Sequence, residues 1–113
     1  MNIIQGSNAP IILEFDIDVS SITDFSAILI PKYGLKLDKS NVPVLKKWSL
    51  EDIEIDQQAL ILPLTQEETL EFPAKPCYLD CKFILDNNIE FIDSCLIEIY
   101  KSADSTIMKV EEE

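Results

Sequence analysis

The 113-residue chain predicts an all-β protein, an antiparallel β-sandwich with one short connecting helix. Three observations predict it. Apolar and polar residues alternate with a period of two in several runs, as half-buried strands require. Turn-forming clusters separate six to eight such runs at intervals of about ten residues, the rhythm of a sandwich. The helix signal, in contrast, is confined to one place: Thr65 with Glu68 three residues later is a capping box, set between Pro63 and Pro73.

Taken in order, Ile3 to Ser7 reads as a short edge strand broken by a turn. Ile11, Leu13, Phe15, Ile17 and Val19 alternate with Glu14, Asp16 and Asp18, which predicts one long strand over Ile11–Val19. Ser20 to Asp24 is turn chemistry. Phe25 to Ile30 predicts a second strand, with Phe25, Ala27 and Leu29 on one face and Pro31 as its stop. Tyr33-Gly34 predicts a turn, Leu35 to Asn41 is polar, and Val42 to Trp48 predicts a third strand. Leu50 to Asp52 closes a turn. Ile53–Ile55 and Ala59–Leu64 then form a hairpin about Asp56-Gln57-Gln58, with Pro63 at an edge or exit position.

Gln66, Glu67 and Glu68 place acidic and amide groups where the helix dipole favours negative charge. Pro73 ends the helix within Thr65–Phe72, because the residue before proline resists the α conformation. A helix this short does not stand alone, so it is a connector over the end of a sheet. After the Ala74–Pro76 loop, Cys77, Leu79, Cys81, Phe83 and Leu85 alternate with Tyr78, Asp80 and Lys82. Asp86-Asn87-Asn88 tolerates positive φ and predicts a tight hairpin. The return strand places Ile89, Phe91, Cys95, Ile97 and Ile99 on one side, and Asp93 interrupts that pattern as a bulge would. Residues 101–113 lose periodicity and predict a frayed tail. Length and the absence of repeats or linkers make 1–113 a single domain.

With 9 basic and 21 acidic residues the net charge is −12, which repels phosphate backbones and anionic lipid surfaces. Nucleic acid and membranes are therefore not the expected partners. Met1-Asn2-Ile3-Ile4 has no secretory character, and no run reaches the length of a membrane span. The odd set of Cys77, Cys81 and Cys95 fits reduced thiols and synthesis in the cytosol.

Catalysis is not expected. Without histidine, Ser-His-Asp and Cys-His chemistry and most catalytic zinc sites are removed. On one strand, Cys77 and Cys81 stand about 13 Å apart, too far to share a metal, and all three cysteines fall on inward faces. The carboxylates Asp16, Asp18, Asp52, Glu54 and Asp56 sit on outward faces without a glycine-bearing calcium loop. Ser94 lacks a base, and Ser7 lies in a turn that is no nucleophile elbow. Lys46-Lys47-Trp48 is too small for a nucleic-acid platform, and Trp48 suits a core or an interface. No catalytic, cofactor or metal residue is assigned.

The Gln5-Gly6-Ser7 turn before a long strand, the run Leu64-Thr65-Gln66-Glu67-Glu68-Thr69-Leu70-Glu71-Phe72, and the hairpin after it form a pattern over Ile4 to Tyr100. It resembles the small immunoglobulin-like sandwich domains of phage and prophage tail or baseplate proteins of Gram-positive bacteria, upper baseplate N-terminal domains among them. Ser7-Asn8 and Asp86-Asn87-Asn88 stand where that family often has Asp-Thr and Asp-Gly. The resemblance implies an immunoglobulin-like fold and a non-catalytic virion component, synthesised in the bacterial cytoplasm, that contacts other tail proteins or itself. Pro10, Pro31 and Pro63 protect some strand edges, so the proline-free Cys77–Tyr100 hairpin is the expected docking edge. The alternative is a carbohydrate- or ligand-binding module, for which Tyr33, Tyr78, Tyr100 and Trp48 are the candidate aromatics.

Overall fold

The computed structural model describes residues 1–31, 44–102, 106 and 108, apart from the side chains of Asp93 and Ser94. The expected turn at Tyr33-Gly34, the polar run 35–41 and the start of the strand at Val42 lie outside the described residues, as does most of the tail. The strands are β1 (Asn2–Ile4), β2 (Ile11–Glu14), β3 (Asp24–Pro31), β4 (Lys46–Ser49), β5 (Glu54–Asp56), β6 (Ala59–Leu62), β7 (Pro76–Leu85) and β8 (Asn88–Tyr100). The α-helix α1 covers Gln66–Glu71, and the turn at Leu50–Asp52 is a single 3-10 turn capped by Ser49 and Asp52.

Two sheets result, one of five strands in the order β1-β8-β7-β3-β4 and one of three in the order β2-β6-β5. Their inner faces share one core. Phe25, Ala27 and Leu29 of β3 and Cys77, Leu79, Cys81 and Phe83 of β7 belong to the same buried cluster as Ile11, Leu13, Leu60 and Leu62 of the smaller sheet. The period-two pattern that predicted these strands is thus the pattern of their burial. Phe15 meets Phe83 edge to face at 5.7 Å, a geometry that aromatic quadrupoles favour.

One corner ties the sheets together. Trp48 is 0% exposed, and its Nε1 donates to the carbonyl of Pro63 at 2.9 Å, where the chain leaves β6 for α1. Two residues before it on β4, Lys46 pairs with Glu68 of α1. The capping box forms as its spacing predicts: Glu68 N–H donates to Thr65 Oγ1 at 3.1 Å, and Thr65 N–H to Glu68 Oε1 at 2.9 Å. The other side of α1 is clamped to the N-terminal turn. Buried Thr69 accepts from Gly6 N–H at 3.0 Å and donates to the Ser7 carbonyl at 2.7 Å. Gly6 has φ +86 and would bring a Cβ to 3.4 Å from Leu70, so glycine suits both its backbone and its neighbour.

Four expectations are corrected. The larger sheet is mixed, because β1 pairs with β8 in parallel through Asn2–Glu98, Ile3–Ile99 and Ile4–Tyr100. The strand expected over Ile11–Val19 ends at Glu14. Phe15 and Val19 still donate to Gln58 and Gln57, but the chain between them loops outward, held by Asp18 accepting from Ser20 N–H at 2.8 Å. Ile17, expected inside, is 58% exposed. Cys77 and Cys81 are buried and Cys95 only half-buried. Lastly, Ile89 and Phe91 face outward, for a reason that lies in β8.

Candidate docking surface

The β7–β8 ladder pairs Leu79 with Cys95 and Cys81 with Ile92. Asp80 alone therefore faces both Asp93 and Ser94, a bulge where Asp93 interrupts the alternation. One extra residue reverses the face of everything on one side of it. Beyond the bulge Ile97 and Ile99 are buried, whereas before it Ile92 packs against the core and Ile89 and Phe91 turn out. The turn fixes this arrangement: Asp86 and Asn87 adopt φ 52 and 63, the left-handed pair of a two-residue hairpin. That hairpin puts Ile89 opposite Ile84 and Phe91 opposite Lys82, on the outer side of the sheet.

Phe91 is 71% exposed and Ile89 62%. Shallow depressions of about 470 and about 220 Å³ flank the Phe91 ring, and both also touch Ser26 and Lys82. The larger reaches Ile28 and Asp80 and the smaller Ile84 and Ile89, so an apolar band crosses β3, β7 and β8.

This band borders an open backbone edge. Within the hairpin expected to dock, β7 is interior, between β8 and β3, and offers no edge. The outer side of β8 is covered by β1 only at Glu98–Tyr100. From Asn88 to Ile97 it pairs with no strand among the described residues. The segment Asn88–Tyr100 carries Glu90, Asp93 and Glu98 and no lysine or arginine.

The acidic residues weighed in sequence stay dispersed. Asp16, Asp18, Asp52, Glu54 and Asp56 are all exposed. Hydrogen bonds from the Ser20 hydroxyl and amide hold Asp18 below its ordinary value, and those from Ser49 do the same for Asp52. Among the described residues no group of three or more histidine, cysteine or acidic side chains is placed to hold a metal. Burial pushes the Cys77 thiol up to about 11 and the Cys81 thiol up to about 12. Ser7 Oγ accepts from Ala9 N–H at 3.1 Å, a turn contact. Buried Trp48 presents no ring face to a sugar; Tyr78 is half-buried, Tyr100 donates its hydroxyl to Glu98 at 2.6 Å, and Tyr33 lies outside the described residues. No helix among the described residues is long and apolar enough to cross a membrane.

Known family models, curated proteins and solved structures give no match. The surface is therefore read from its own chemistry. Alternation carried through Asp93 without a change of face puts Phe91 on the same side as Ile97 and Ile99, in the core. Asp93 marks the bulge in the sequence; the change of face that a bulge imposes is what places Phe91 outside.

Proposed function

We propose that this chain is a non-catalytic docking component that acts by protein–protein contact. The observation that carries the reading is the pairing of exposed Phe91 and Ile89 with an edge of β8 that no strand among the described residues covers. Exposed apolar surface beside unsatisfied backbone donors and acceptors favours another polypeptide over water.

The finer readings follow from connectivity and motif. Variable-type immunoglobulin domains set strands G, F, C and C′ in one sheet and A, B, E and D in the other. Taking β2 to β8 as B, C, C′, D, E, F and G, the orders β8-β7-β3-β4 and β2-β6-β5 read G-F-C-C′ and B-E-D. That supports an immunoglobulin-like sandwich, in which α1 is the E-to-F connector. The Leu64–Phe72 run supports a phage or prophage tail or baseplate role, with synthesis in the cytoplasm and assembly into a virion.

Co-expression with the products of neighbouring reading frames tests this. A stable complex with a co-encoded tail protein, weakened by Phe91→Ser, is the expected result. Glycan binding that depends on Tyr78 or Tyr100, with no complex formed, would overturn it in favour of a carbohydrate-binding module.

A further inference from the structure

We infer that the partner enters as an extended strand of alternating apolar and basic residues, added to the outer edge of β8 along Asn88–Ile92. The inference rests on the docking reading and names the partner's chemistry. A strand laid beside β8 shares its two faces, since paired residues point to the same side. On the outer face it meets Ile89 and Phe91, which call for apolar side chains. On the other face it meets exposed Asn88 and Glu90, with no lysine or arginine anywhere on β8. Basic residues at the alternate positions complete that face, because opposite charges across a strand pair attract and like charges repel.

The bulge sets the length. The β7–β8 ladder breaks register where Asp93 and Ser94 both stand opposite Asp80, and the disrupted backbone there ends an added strand after about five residues. Charge also selects against a second copy of the chain. Two molecules of charge −12 repel, and a β8–β8 pairing would bring two acidic strands together. Strand addition is a known way to use an open edge, with backbone bonds giving affinity and alternate side chains giving specificity.

The experiment uses the full isotope-labelled chain, a short synthetic peptide alternating lysine and valine, and a matched peptide alternating glutamate and valine. Amide shifts and slowed hydrogen exchange confined to Asn88–Ile92 are expected with the lysine peptide. The glutamate peptide should bind at least about tenfold more weakly, and Glu90→Lys should shrink or reverse that preference. Phe91→Ser should weaken both peptides. Equal binding of the two peptides, or no perturbation of these amides by either, would sink the inference. Perturbation at another surface would sink it too, while leaving the docking reading intact. Protection of the same amides in the peptide-free chain, together with a dimer in the ultracentrifuge, would make the occupant a second copy.

Discussion

Glu68 links two parts of the fold through one carboxylate: Oε1 accepts the Thr65 N–H, and Oε2 pairs with Lys46 of β4. Burial works to raise its pKa, but the Lys46 ammonium and the Thr65 amide outweigh it and hold the group below its ordinary 4.5. A carboxylate depressed by folding stabilises the folded state above its unfolded value, and that contribution fades as pH falls through the folded value. Glu68→Gln should therefore destabilise the protein at pH 7, and the gap from wild type should close below about pH 4.5. Denaturation midpoints at the two pH values measure this. Thr65→Ala removes the reciprocal cap and should cost about 1 kcal/mol, visible as a lower midpoint in urea. The cysteines carry the opposite sign. Cys77 and Cys81 stay protonated where an unfolded thiol, ordinarily near 9.0, would ionise, so stability should fall as pH rises past that value. Without denaturant, a thiol reagent at pH 8 should label Cys95 first; rapid labelling of Cys77 or Cys81 would show that they are not sealed in the core.

Among the elements, those whose determinants are local were legible in the sequence. The capping box, the Asp86-Asn87 turn and the inward faces of β3 and β7 each follow from residues within one element. What escaped depends on distant partners or on a single inserted residue. The parallel pairing of β1 with β8 joins residues near the two ends of the chain, and nothing in Asn2–Ile4 specifies it. Ile17 fits the alternation of Ile11–Val19, yet the Asp18–Ser20 turn takes it out of the ladder. At β8 the period survives on both sides of the bulge while the face reverses, so Ile89 and Phe91 are legible in sequence as apolar but not as exposed. Inserting one alanine between Ser94 and Cys95 tests the register beyond the bulge directly. The Asp86-Asn87 turn pins the near half of β8, so Ile97 and Ile99 would rotate to solvent. Losing two buried side chains should cost about 3 kcal/mol or more, a large part of a small domain's stability. A melting temperature equal to wild type would mean that the register can slide without penalty.

At the scale of the whole molecule, charge and exposed apolar surface oppose each other. The apolar band on β3, β7 and β8 favours association, while a net charge of −12 keeps identical chains apart at neutral pH. A basic partner escapes that repulsion; a second copy does not. The balance should shift as carboxylates are protonated toward the isoelectric point near 4.2, where repulsion vanishes and the band remains. Sedimentation at pH 7 should give a monomer at low salt, with mass rising as pH approaches that point or as added salt screens the charge. Phe91→Ser should suppress the rise without moving the isoelectric point, because it removes apolar area and no charge. Its melting temperature at pH 7 should stay close to wild type, since an exposed side chain contributes little to the folded core. If the variant associates as readily as the wild type at low pH, the apolar band is not what holds the molecules together, and charge loss alone accounts for the assembly.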